Sequence, residues 1–197
     1  MDDAEGKSPP FRIPDNTFLE SNQYLVFKAP GLQLSLKNSD DEVRLLDPNQ
    51  IPKQVILYQA AQENWSYAGH EGAFEWTPFL TPGKFNLLLQ DFSEGMTVPV
   101  RRVIDGDTFE TEFQGIPVTV RMVGVDTPET VHPKKSVELL GPEASAYLKE
   151  RLTEQNVQLA FDEEKVDKYN RLLAYVYLGD NFINAELIQK GYARAYT

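Results

Sequence analysis

The sequence predicts a mainly β protein: a β-sandwich followed by a five-stranded α+β barrel with flanking helices. Three observations predict it. Residues 23–87 hold short apolar runs between turn clusters, with no segment of helical period. The stretch 91–96, Asp-Phe-Ser-Glu-Gly-Met, reads as a polar break between two regions. After it the pattern becomes three strands, a helix, two strands and a helix.

In the first region, residues 1–16 are rich in Pro, Asp and Gly and read as loop. Residues 23–29 form a β-type run, and 32–36 alternate apolar and polar, as a half-buried strand does. Further β-type runs lie at 43–46 and 55–58, separated by Asp47-Pro48-Asn49. Trp65, Tyr67, Phe74 and Trp76 add aromatic bulk, and Thr81-Pro82-Gly83 closes the region. Short strands with regular turns suggest an all-β sandwich over 1–90.

In the second region, 97–197, the spacing predicts strands over 98–104, 109–113 and 118–125, with Gln114-Gly115 turning between the last two. Pro142 suits the first turn of a helix over 142–152, whose Ala144, Leu148 and Leu152 share one face. Strands follow at 157–161 and 172–178, and a short helix over 184–190 stops at Gly191. This order matches a five-stranded Greek-key barrel of the oligonucleotide-binding (OB) type.

Composition narrows the function. The chain has 197 residues, 41% hydrophobic and 25% charged, ordinary for a globular protein. No apolar run reaches membrane-spanning length, and the acidic start does not read as a secretory signal. With no cysteine, disulfides, thiolate metal sites and cysteine nucleophiles are excluded. The net charge is −11, with 7 basic and 14 acidic residues in the first 96 positions and 12 and 16 in the rest. Neither half has the basic footprint of a tight nucleic-acid binder. An enzyme tolerates that, because it stabilises a transition state and need not hold its substrate tightly.

The residues that carry chemistry sit at the ends of β-patterned segments. Asp105-Gly106-Asp107-Thr108 reads either as a β-turn or as a turn from which Asp107 meets a metal. Asp126 ends the third strand, as a turn former or as a second ligand, and Glu129 follows either as a surface acid or as part of the same site. Ends of neighbouring antiparallel strands come together. Two adjacent carboxylates repel unless a cation lies between them. Calcium suits such oxygens. Zinc does not, with only His70 and His132 available, each read as a surface residue. Arg121 and Arg171 would clamp a pentavalent phosphorane, although a lone arginine after the turn Asp167-Lys168-Tyr169-Asn170 is more often a surface ion-pair residue. Arg121 lies five positions before Asp126, an odd offset that sends the two side chains to opposite faces unless a bulge or barrel curvature intervenes. Together these groups suggest metal-assisted cleavage of a phosphodiester.

Several motifs now combine in one order: Ile104-Asp105-Gly106-Asp107-Thr108, Arg121, Val125-Asp126-Thr127-Pro128-Glu129, His132-Pro133-Lys134-Lys135, Gly141-Pro142-Glu143-Ala144, Asp167-Lys168-Tyr169 with Arg171, and Asn184 with Gly191. Residues 97–197 thereby resemble a staphylococcal-nuclease-like (thermonuclease) domain. The resemblance implies a calcium-dependent endonuclease that cleaves DNA and RNA at the P–O5′ bond and leaves 3′-phosphates. It implies calcium on Asp107, Asp126 and the Thr127 carbonyl, Glu129 positioning or deprotonating water, and Arg121 and Arg171 on the scissile phosphate. It places Lys168 and Tyr169 on a neighbouring phosphate and Asp105 behind the ligands. Asn170 stands where the family usually has Gly. Residues 8–86 similarly resemble a lamin-tail domain, an immunoglobulin-like sandwich, through segments 32–38, 41–48, 65–68 and 76–83. Against these families the sandwich reads as truncated at its N-terminus and the barrel at its C-terminus. The resemblances carry further expectations: a protein secreted or at a bacterial cell surface, with an unnamed ligand for the sandwich. The chain is expected to be a monomer, and because an unstacked strand exposes its phosphates more readily than a duplex, single-stranded nucleic acid is the expected preference. The rival reading is a catalytically silent nuclease-like binding module.

Overall fold

The computed structural model describes residues 9–28, 31–32, 34–70, 72–128 and 140–196, together with the backbone of 2–3. Two compact units divide the chain, residues 1–89 and 90–197. No helix among the described residues is long and apolar enough to cross a membrane.

In the first unit, β1 (Asp2–Asp3), β2 (Asp40–Leu46) and β3 (Pro52–Gln59) form an antiparallel sheet in that order. The β2–β3 turn is tied by Asp47, whose Oδ1 accepts from the backbone N–H of Asn49 and of Ile51, each at 2.9 Å. A separate hairpin follows, β4 (Ser66–His70) and β5 (Ala73–Thr77). Trp76 Nε1 donates to the Gln59 carbonyl at 2.8 Å and joins hairpin to sheet. An immunoglobulin-like sandwich does not emerge from the described residues. The runs expected as strands at 23–29 and 32–36 join no ladder where they are described. Tyr24, Leu25, Val26 and Leu36 are 44–51% exposed, so these apolar side chains have no opposing face to bury against.

The second unit is the barrel. β6 (Thr97–Asp105), β7 (Thr108–Phe113) and β8 (Ile116–Met122) form an antiparallel meander. The β7–β8 turn uses Gln114 and Gly115, both at positive φ (49° and 78°), which matches the twist of a two-residue hairpin. β9 is a short continuation at Val125–Asp126. Helix α1 (Gly141–Leu152) buries Ala144, Leu148 and Leu152. β10 (Asn156–Ala160) and β11 (Leu172–Leu178) complete the wall. β10 pairs with both β6 and β11, and β11 lies parallel to β8, so the five strands close on themselves. Closure explains why Val98, Val100, Val118, Val120, Leu159, Leu172 and Val176 are all at most 3% exposed. β12 (Asn181–Phe182), α2 (Ile183–Gln189) and β13 (Arg194–Ala195) follow.

Residues 91–96, which the sequence marks as a linker, fall within this unit. Phe92 is fully buried and packs on Phe113 with ring centroids 5.2 Å apart. Its carbonyl accepts from Lys165 Nζ at 2.8 Å, and Glu94 accepts from the Phe161 N–H at 2.8 Å. Apolar Phe92 within a polar stretch is what turns a spacer into part of the barrel.

Candidate active site

Strand ends build the site. Thr108 opens β7 directly opposite Arg121 of β8, so Asp107 emerges beside that arginine. Asp107 is 5% exposed. Its Oδ1 accepts from Thr108 Oγ1 at 2.9 Å; its Oδ2 accepts from the Thr127 N–H at 3.0 Å and from Thr127 Oγ1 at 2.9 Å. Arg121 Nη1 makes an ion pair with the same Oδ2. The other end of that guanidinium, Nη2, lies 3.5 Å from Asp126 Oδ1.

The odd offset between Arg121 and Asp126 is resolved by a break in the strand. β8 ends at Met122, and Gly124 takes φ 72° before β9 begins. A positive φ turns the chain without steric cost only at glycine. The break is pinned on both sides: Val123 N donates to the Ala174 carbonyl at 3.0 Å, and its own carbonyl accepts from Asn184 Nδ2 at 2.7 Å. Asn184, 2% exposed, uses its Oδ1 to accept from Val176 N at 2.9 Å. A buried amide thus sets the phase at which Asp126 meets Arg121.

Arg171 arrives by the parallel ladder. Leu173 is opposite Arg121 in the β8–β11 register, and Arg171, two residues earlier, shares Leu173's face. Both arginines line one cleft of about 560 Å³, together with Asp126, Asp167, Lys168 and Tyr169. Arg171 Nε and Nη2 each lie 2.7 Å from Asp167 Oδ2. Arg171 thus makes an ion pair and lines the cleft as well. Its Cζ lies 5.3 Å from the Tyr169 ring centroid and Lys168 Nζ 5.0 Å, so one exposed ring carries two cations. Asn170 takes φ 62°, the left-handed turn that Asn tolerates.

Of the expected site residues, the structure brings Arg121, Asp126, Lys168, Tyr169 and Arg171 to the cleft, with Asp107 and Thr127 behind Arg121. Asp105 is 8% exposed, accepts from Gly106 N at 2.7 Å and does not line the cleft. Glu129 lies outside the described residues, as do His132, Pro133, Lys134 and Lys135. Sequence reasoning missed Glu164, Tyr196 and Arg194. Glu164 and Tyr196 line the cleft, and Arg194 Nη2 lies 3.7 Å from Asp126 Oδ2. Tyr196 and Arg194 arrive through the two-residue β9–β13 ladder, which is too short to leave a periodic signal.

The donor chemistry bears on a metal. Two carboxylates, Asp107 and Asp126, share the charge of one guanidinium, and their hard oxygens fit an oxygen-seeking divalent cation. Among the described residues no group of three or more His, Asp or Glu is placed so that it could hold a metal ion.

Residues 119–197 match the profile of the family described as staphylococcal nuclease homologue. The chain is 50% identical over 101 residues to the thermonuclease of Staphylococcus intermedius, covering 51% of this chain and 60% of that protein. It is 44% identical over 118 residues to the thermonuclease of Staphylococcus hyicus, covering 60% and 66%. It is 42% identical over 100 residues to endonuclease YncB of Bacillus subtilis (strain 168), covering 50% and 47%. The chain therefore spans between about half and just under two thirds of these relatives.

Proposed function

We propose that the cleft hydrolyses phosphodiester bonds of DNA and RNA, breaking P–O5′ and leaving 3′-phosphates. The observation that carries this reading is the convergence of Arg121 and Arg171 on one cleft that also holds Asp126. Two guanidinium groups match the oxygens of a phosphate, and their stabilisation grows as the phosphorane gains charge. Asp167 holds Arg171 in place, so little ordering is left for the moment of reaction. Arg121 is likewise held by Asp107 and Asp126.

Asp107, Asp126 and the Thr127 carbonyl would hold calcium. Bound there, the ion would offset charge on the phosphate and orient the attacking water. The Thr127 N–H and hydroxyl both donate to Asp107 and fix its carboxylate in place. Glu129 is assigned to the water, orienting or deprotonating it. Lys168 and Tyr169 would take a neighbouring phosphate, with Asp105 supporting the turn. The family names of the relatives favour a nuclease, and a secreted or surface-bound bacterial setting goes with that reading. An unstacked strand offers its phosphates to a cleft more readily than a duplex, so single-stranded substrate should be cleaved faster.

The test is cleavage of single-stranded DNA by the whole chain, in calcium and in chelator. Cleavage should need calcium, and Asp107→Ala should abolish it. Arg171→Ala should lower kcat by about 10²–10³, the loss of a charge-stabilising donor worth about 3–4 kcal/mol of barrier. Cleavage unaffected by chelation or by Asp107→Ala would overturn the proposal. Calcium-independent oligonucleotide binding without cleavage would point to a silent binding module.

A further inference from the structure

We infer that Arg194 regulates cation occupancy of this site by competing for Asp126, an inference that rests on the calcium-dependent reading above. Arg194 on β13 is directly opposite Asp126 on β9. Cross-strand partners of opposite charge attract, and here Arg194 Nη2 lies 3.7 Å from Asp126 Oδ2. Arg121 Nη2 lies 3.5 Å from the other oxygen, Oδ1. Each oxygen of this carboxylate thus has its own guanidinium.

The two arginines differ in how firmly they are held. Arg121 is 18% exposed and anchored to Asp107 as well. Arg194 is 79% exposed, and Asp126 is its ion-pair partner at this surface. Arg194 is therefore the partner that an arriving cation displaces. Displaced or not, its charge repels the cation, so the site binds calcium more weakly than its carboxylates alone would allow. Because the head is in solvent, added salt should screen the effect.

Calcium titration calorimetry on the whole chain tests this without reference to cleavage. Arg194→Gln should bind calcium about three- to tenfold more tightly than the parent at low salt, the range of a solvent-exposed ion pair against a divalent ion. Arg194→Lys keeps the charge and should stay near the parent value. Raising salt tenfold should shrink the difference. Thermal unfolding of each variant should match the parent, since the replaced side chain is exposed. Arg194→Gln binding equally or more weakly, while the parent binds calcium, overturns this inference alone. A parent chain that binds no calcium overturns the inference together with the calcium reading beneath it.

Discussion

Gly106 shows how one absent methyl group shapes the site. A Cβ there would meet Thr127 Oγ1 at 2.7 Å and its Cβ and Cγ2 at 2.9 Å. Thr127 cannot swing aside, because a β-branched side chain has few rotamers and its hydroxyl is committed to Asp107. Gly106→Ala should push Thr127 away and leave buried Asp107 short of two donors. The expected loss is about 1–3 kcal/mol of stability, read by urea unfolding, with cleavage lost alongside. A variant as stable and active as the parent would show that the loop relaxes. The pairing of Asp105-Gly106-Asp107-Thr108 with Asp126-Thr127 was legible as a suspicion, since acids at strand ends invite it. The reason for the glycine was not, because a close approach between Gly106 and Thr127, which lie on different loops, leaves no local pattern.

At the scale of elements, α1 and α2 are clasped by polar side chains outside the cleft. Glu186 accepts from the Tyr147 hydroxyl and from Arg151 Nε at 3.1 Å, and Tyr147 stacks on Tyr192 with centroids 4.8 Å apart. Burial, then the hydrogen bond to Glu186, pushes the Tyr147 hydroxyl up to about 12 from 10.0. Burial also works against the Glu186 carboxylate, but the bonds from Tyr147 and Arg151 outweigh it and hold it below its ordinary 4.5. A raised pKa means the folded state favours the protonated phenol. Its contribution is complete below about pH 10 and is lost as pH rises through about 12. Glu186 acts in the opposite direction: its contribution is present above about pH 4.5 and fades as pH falls through its depressed value. Comparing unfolding of the parent and Tyr147→Phe across pH 9–12 should show a steeper alkaline decline in the parent; parallel curves would mean the clasp adds nothing. The barrel strands were readable because closure buries alternate residues of every strand, so period 2 survives in the sequence. The run at 32–36 has the same period and the run at 23–29 the same β-type composition, but neither has a buried face, and pattern alone cannot supply one. The break at Val123–Gly124 depends on Asn184, about 60 residues away, and only the folded barrel brings them together.

At the scale of the whole molecule, charge would decide how the proposed nucleic-acid substrate is met. The chain carries −11 overall, and its cleft sets Arg121, Lys168 and Arg171 against Asp126, Glu164 and Asp167. Such a molecule gains little from counterion release. If those three cations each neutralise one phosphate of a single strand, the logarithm of KM should rise with that of salt with a slope of at most about 2. Between about 50 and 200 mM salt, KM would then rise no more than about 16-fold, where a protein with 6–10 phosphate contacts loses about 10³–10⁵ in affinity. Initial rates on a single-stranded oligonucleotide at fixed calcium give the slope directly. A slope near 2 or below would confine binding to the cleft, with turnover resting on transition-state contacts and not on tight capture. A slope well above 2 would require a second basic surface that this acidic chain would have to draw from outside the cleft, and it would sink the view that three side chains carry the substrate.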